Sequence, residues 1–221
     1  MGGILVAIDG PAGSGKSSVA RAVAGRLGVV NLNTGAAYRA AALLALREGV
    51  DLADAEGLAA LARRVDLDEE GASIDGERVG DRDLRSPDVS AAASKVSAHA
   101  PLREVLLPVQ RAAAEKARTR GGAVIEGRDI GTVVLPDAEL KVYLSADPEE
   151  RARRRAHQTG KEGELDRIRA ALARRDRQDS EREISPLTPA ADAVVLDTTS
   201  LSLEEVTAKV FDLATDLRER T

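Results

Sequence analysis

The chain has 221 residues, of which 43% are hydrophobic, 31% charged and 1% aromatic, and it carries a formal net charge of −5. This balance fits one soluble, compact unit with small insertions, its core built from Ala, Val, Leu and Ile. It argues against a nucleic-acid partner, which would call for a basic footprint or aromatic stacking platforms, and the lack of cysteine excludes disulfides and thiolate metal sites.

The first apolar run, Ile4 to Asp9, reads as a strand buried on both faces. It is too short for a signal peptide or a membrane span, so a cytoplasmic protein with no membrane partner is expected. A Gly-rich turn and a helix over about Lys16–Leu27 follow, stopped by Gly28. Val29–Leu32 reads as a second strand, and a helix runs from about Ala36 to Arg47. Val65–Asp68 alternates, and Ala72–Val79 reads as a hairpin turning at Asp75-Gly76, which together suggest a small antiparallel insertion. Ser86 caps a helix with Pro87 in its first turn, and Pro101 opens another that carries Leu102, Val105, Leu106 and Val109 on one face. Ala123–Glu126 and Leu140–Leu144 are strands, and Asp147 with Glu150 starts a helix. From Arg151 to about Arg182 charges of both signs dominate. Ala193–Leu196 is the last strand, and a capping box from Ser202 to Glu205 opens the last helix, with Val206, Val210, Leu213 and Leu217 as its apolar stripe. Strands alternating with helices predict an α/β fold: a parallel sheet flanked by helices, with the antiparallel insertion and a helical lid.

Gly10-Pro11-Ala12-Gly13-Ser14-Gly15-Lys16-Ser17 matches G-x-x-x-x-G-K-[ST] between a strand and a helix, the setting of a P-loop. Its glycines let several backbone N–H groups point into one concavity, and the helix N-terminus adds partial positive charge. Lys16 is suited to the β- and γ-phosphates of ATP and Ser17 to Mg²⁺, with Ser18 a further candidate phosphate contact. No guanine-reading Asn-Lys-x-Asp segment is present, and the short chain with a late charged segment points to a small kinase that closes lids to exclude water.

Three further clusters stand out. Asn33-Thr34-Gly35-Ala36-Ala37-Tyr38-Arg39 follows the second strand, at the sheet edge where α/β folds bind ligands. Arg39 is placed to hold an acceptor phosphate, or is a surface arginine; Tyr38 lies there too, with core packing as its plain role. Glu126-Gly127-Arg128-Asp129 brings charges to the same edge, for a ligand or for an internal pair of Arg128 with Asp129 or Glu126. Arg174 to Arg182 alternates acids and bases, as a solvated helix face does, or as a lid that folds arginines over phosphates.

Together these residues closely resemble the bacterial-type cytidylate kinases. The likeness runs from IDGPAGSGKS through NTGAAYR, EGRDIGTVV and RDRQDSER to ADAVVLDTT. The resemblance implies transfer of a phosphoryl group from ATP to CMP or dCMP. It implies that Gly10 to Ser18 bind ATP, with Arg153 and Arg154 as looser lid candidates facing it. Thr34, Ser94, Arg103 and Asp129 would read cytosine; Arg39, Arg128 and Arg182 would grip the acceptor phosphate; Arg175 and Asp179 would lie near the ribose. Lys16, Arg128 and Arg182 are the expected catalytic groups. Asn33 stands where many relatives carry Asp, and Thr34 where Ser is more familiar. The expected divisions are a core of about 1–36, 84–150 and 190–221, an acceptor-binding insertion of 37–83 and a lid of 151–189, acting as a monomer. The alternatives are a P-loop kinase for UMP, AMP or shikimate, or a P-loop nucleotide-binding module that regulates a partner. His99 and His157 read as surface or lid residues.

Overall fold

The computed structural model describes residues 3–220. In chain order the elements are β1 (Ile4–Asp9), α1 (Lys16–Leu27), β2 (Val30–Asn33), α2 (Gly35–Glu48), α3 (Ala55–Ala62), β3 (Val65–Asp68), β4 (Gly71–Ile74) and β5 (Glu77–Arg78). They continue with α4 (Asp81–Leu84), α5 (Pro87–Val96), α6 (Ala100–Arg118), β6 (Gly122–Glu126), β7 (Leu140–Ser145), α7 (Pro148–Thr159), α8 (Leu165–Glu181), β8 (Val194–Asp197) and α9 (Leu203–Arg220). A π-helical turn at Ile130–Val134 and a short 3₁₀ turn at Glu162–Glu164 complete the list.

Five strands form one parallel sheet in the order β2-β6-β1-β7-β8. Parallel pairing puts all five carboxyl ends on one edge, so the turns after Asp9, Asn33, Glu126, Ser145 and Asp197 gather there. The central strand β1 is buried along its whole length, as its unbroken apolar run predicts. Its alternate residues feed two cores. Leu5 and Ala7 face α2, α5, α6 and the small sheet, whereas Ile4, Val6 and Ile8 face Val19 and Val23 of α1 and Val206 and Val210 of α9.

The insertion is a three-stranded antiparallel sheet, β3-β4-β5. Asp75 and Gly76 both have positive φ, 52° and 82°, the geometry a two-residue hairpin turn requires. This sheet is not a separate unit, since Val65, Leu67, Ala72 and Ile74 share the core of α2 and α6. Helix α3 lies outside the elements expected from sequence. Its start is marked by Asp54, whose carboxylate accepts from the Gly57 amide at 3.0 Å. The capping expectations elsewhere are met: Ser86 accepts from Val89, Asp147 from Glu149 and Glu150, and Ser202 and Glu205 bond reciprocally. The second strand lies one residue later than its apolar run suggests. Among the described residues no helix is long and apolar enough to cross a membrane.

Alanines compensate for the missing aromatics. Helix α2 buries Ala36, Ala37, Ala40, Ala41, Ala42 and Ala45, so its backbone approaches its neighbours on several sides. Ala41→Leu should therefore overpack this core and cost about 1–3 kcal/mol. Thermal melting should show a fall of several degrees, whereas Leu46→Ala, at a 44% exposed position, should leave the melting temperature nearly unchanged.

Candidate active site

Where β1 ends, the chain turns sharply into a loop that opens α1. Gly10 has φ 145°, and a Cβ there would sit 2.1 Å from the Leu144 carbonyl oxygen of β7, so no side chain fits. The loop encloses Lys16, whose ammonium donates to the Pro11 carbonyl at 2.6 Å and lies 3.4 Å from Ser14 Oγ. Burial, then the Arg128 charge, holds the Lys16 pKa well below the usual lysine range. Ser17 Oγ donates to Glu126 Oε2 at 2.6 Å, which joins the start of α1 to the end of β6. Ser18 is exposed on the same wall.

A cleft of about 700 Å³ runs from this loop along the sheet edge. On its far side four guanidinium groups, those of Arg39, Arg128, Arg175 and Arg182, converge from α2, the turn after β6, and α8 with its end. Two of them share the Asp179 carboxylate, which lies 3.0 Å from Arg128 and 3.9 Å from Arg175. Burial, then Arg128, lowers Arg39 to about 10 and Arg175 to about 9. Burial, then Arg103, lowers Arg182 as well. Arg39 Nε, Arg175 Nε and Arg182 Nη2 are buried without a hydrogen-bond acceptor. Enclosed cations that crowd one another and keep unpaired N–H groups form an environment built for an anion.

Beyond the arginines, Asp129 is buried in an ion pair with Arg103. Arg103 also donates to the Ser97 carbonyl at 3.2 Å and lies over the Tyr38 ring, 5.3 Å from its centroid. Gln110 donates to the Tyr38 hydroxyl at 3.4 Å. Thr34 spends its hydroxyl proton on the Glu126 carbonyl at 2.8 Å, so toward the cleft it offers only lone pairs. Ser94 Oγ reaches Gln178 Oε1 at 3.2 Å and ties α5 to α8.

Helices α7 and α8 are pinned to the phosphate loop. Arg151 pairs with Asp176 and donates to the carbonyls of Ala12 and Ala146 at 3.1 and 3.0 Å, while the Ala12 amide donates to Asp176 at 3.4 Å. Ala12, Ala152 and Leu172 form a small apolar cluster beneath these bonds.

Several sequence expectations change here. Arg128 pairs with Asp179 and Asp129 with Arg103, so neither suggested pair of Arg128 with Asp129 or Glu126 forms. Arg39 is no surface residue; it lies in the cleft wall. Tyr38 lines the cleft as well as touching the core. Arg153 points to solvent beside Glu149 and Glu150, away from the cleft, and Arg155 lines the wall instead, together with Arg154. The charged run of α8 has two faces: Arg175, Asp176 and Asp179 turn inward at helical spacing, and Arg174 and Arg177 turn outward. His157 is exposed at the cleft rim, but His99 is partly buried, its Nε2 2.8 Å from the Leu52 carbonyl. The segment Thr198–Ser202 after β8 lines the cleft beside the phosphate loop, with Thr198 Oγ1 3.4 Å from the Ser14 carbonyl, and Arg154 holds it through Thr198 Oγ1 at 2.9 Å. Sequence reasoning assigned it no role, since small hydroxylated residues after an edge strand carry no distinctive signal.

A family model described as cytidylate kinase matches residues 6–216. A cytidylate kinase of Geobacter sp. (strain M21) is 47% identical over 213 residues, covering 92% of this chain and 89% of that protein. Another, from Rhodococcus opacus (strain B4), is 48% identical over 216 residues, covering 94% and 93%. A bifunctional pantoate ligase/cytidylate kinase of Synechococcus sp. (strain JA-3-3Ab) is 49% identical over 229 residues, covering 98% of this chain but 42% of the relative, so the chain spans about two fifths of such bifunctional proteins. Among solved structures, a gluconokinase from Sinorhizobium meliloti 1021 superposes with a TM-score of 0.52 at 17% identity, over 99% of this chain and 94% of that one, a likeness of fold alone.

The crowding of cations predicts a trade between stability and binding. Arg39→Gln should leave the melting temperature of the free protein unchanged or raised, because it removes a buried charge with an unpaired N–H. The stabilisation conferred by millimolar inorganic phosphate should shrink, with phosphate affinity weakened about tenfold or more, a loss of about 1.5 kcal/mol for one hydrogen bond to a charged group. A drop of several degrees in the free protein, with the phosphate effect intact, would make Arg39 a purely structural residue.

Proposed function

The chain belongs to the cytidylate kinase family, and we propose that it transfers the γ-phosphoryl group of ATP to CMP or dCMP, giving ADP and CDP or dCDP. One observation carries the reading: a single cleft joins a phosphate-binding loop to a second, enclosed cluster of arginines, with a carboxylate–guanidinium pair beyond it. Two anionic groups facing each other, and a polar base pocket past the second, are what a nucleoside monophosphate kinase needs.

In this reading the loop amides from Gly10 to Ser18 and the Lys16 ammonium hold the donor phosphates. Arg39, Arg128 and Arg182 hold the acceptor phosphate, and Arg175 and Asp179 lie beside the ribose. An acceptor phosphate oxygen attacks the γ-phosphorus, the bond to the β–γ bridging oxygen breaks, and the electron pair leaves with ADP. The attacking oxygen is already anionic, so no general base is required; positioning and charge neutralisation carry the rate. Lys16, Arg128 and Arg182 offset the charge that gathers on the transferring group. Ser17 and Glu126, with oxygens 2.6 Å apart at the mouth of the loop, form a hard-oxygen donor set suited to Mg²⁺. When bound with ATP, Mg²⁺ neutralises the β- and γ-phosphate oxygens.

Cytosine presents an amino donor beside a ring-nitrogen acceptor. The Asp129 carboxylate has lone pairs left after pairing with Arg103, and Arg103 has spare N–H groups, so together they complement that edge. Uracil reverses the pattern and should bind less well. The reading takes the enzyme to act as a cytoplasmic monomer on dissolved small molecules.

A coupled assay of ADP release with ATP and Mg²⁺ should show strong dependence on CMP and dCMP, weaker dependence on UMP, and little on AMP, GMP or no acceptor. A preference for AMP would remove the cytosine-reading assignment. Lys16→Ala should lower turnover by about 100- to 1,000-fold, the scale of losing one transition-state charge contact. Its circular dichroism and melting temperature should hold, since a buried cation is removed; near-normal turnover would remove Lys16 from the chemistry.

A further inference from the structure

Asp9 is buried, precedes the phosphate loop directly, and has no part in the transfer step described above. Its two carboxylate oxygens accept from successive backbone amides across the sheet edge, Ile130 N at 2.9 Å and Gly131 N at 2.8 Å. The residue before it acts on the same segment, since the Ile8 carbonyl accepts from Gly127 N at 3.0 Å. The last two residues of β1 therefore hold both ends of the stretch from Gly127 to Gly131. Between these anchors stand Arg128 and Asp129, whose side chains diverge, one to Asp179 of the lid and the other to Arg103 of the base pocket. On its other side Asp9 continues into Gly10, which is locked against β7.

We infer that Asp9 is a positioning residue for acceptor recognition: its carboxylate sets the place of Arg128 and Asp129 relative to the phosphate loop, so that one side chain keeps the donor cradle and the base reader in register. The inference rests on the cytidylate reading of this site. Asp9 is not among the residues that line the cleft and acts on it through the two amides. Only an ionised carboxylate accepts from two adjacent N–H groups with two equivalent oxygens; an amide or a protonated acid turns a donor toward one of them. A carboxylate kept here in spite of its burial marks a geometric demand. Burial pushes its pKa up to about 6, the Gly131 and Ile130 amides pull it down, Asp129 pushes it up and Lys16 pulls it down. Tyr143 on β7 also faces it, and Glu126 ends the strand on the other side.

The test compares kcat/KM for CMP and for UMP, with KM for ATP, in the full-length wild type and Asp9→Asn. The expected result is a fall of tenfold or more in the CMP-to-UMP ratio, with KM for ATP within about threefold of wild type. Should Asp9→Asn fail to fold, the wild type serves alone. The ratio should fall as pH is lowered from 7.5 to 5.5, because the carboxyl gains its proton in that window, and it should recover on return. Taking the ratio cancels the titration shared by the two monophosphates. An unchanged ratio in the variant, or for an unfolded variant a flat ratio with pH, overturns the inference. A wild type that shows no preference for CMP overturns the function instead, so the two failures are distinguishable.

Discussion

A protein with a net charge of −5 gathers cationic side chains into one cleft, and the arrangement of that cleft answers to their repulsion. Lys16, Arg39, Arg128, Arg175 and Arg182 lie in the walls of one cavity, where burial, then the Arg128 charge, lowers the proton affinity of Lys16, Arg39 and Arg175. Asp179 offsets part of the charge and Glu126 another part, but three guanidinium nitrogens keep buried hydrogens without an acceptor. In a low-dielectric cleft such groups are costly alone and strongly attractive to a phosphate. In the proposed reaction, the same crowding that is costly in the free protein would supply affinity and transition-state charge balance when phosphates arrive at both ends.

The rest of the fold keeps those cations close without letting them escape to water. Parallel strands deliver the carboxyl ends of β1, β2, β6 and β7 to one edge, so residues distant in sequence meet at the cleft. Alanine-rich α2 lies close to α5 and the small sheet, which brings Arg39 and Tyr38 into the wall. On the opposite side, Arg151 of α7 and Asp176 of α8 bind both helices to the phosphate loop through Ala12. The positions of α7, α8 and the phosphate loop are therefore mechanically linked.

How much of this is legible in the sequence depends on how local each interaction is. The phosphate loop is fully readable, because its glycines, lysine and serine act within eight consecutive residues and between a strand and a helix. The hairpin at Asp75-Gly76 and the helix caps are readable for the same reason. The pairings of Arg103 with Asp129 and Arg128 with Asp179 are not, since 26 and 51 residues separate the partners and several carboxylates compete for each arginine. Helical spacing also decides between Arg153 and Arg155: a segment of adjacent arginines offers no sign of which face meets the cleft. The wall from Thr198 to Ser202 becomes visible only when Arg154 is seen to hold it.

Phosphoryl transfer of the proposed kind requires two phosphate subsites lying in line within one cleft. Calorimetric titration with a dinucleotide that joins cytidine to adenosine through a polyphosphate long enough to span both subsites tests this directly. The account predicts one molecule bound per chain, with an affinity at least a hundredfold above that of ATP or CMP alone, because one ligand satisfies both sets of cations. Affinity no greater than that of ATP would show that the arginine cluster and the phosphate loop do not serve one reaction path.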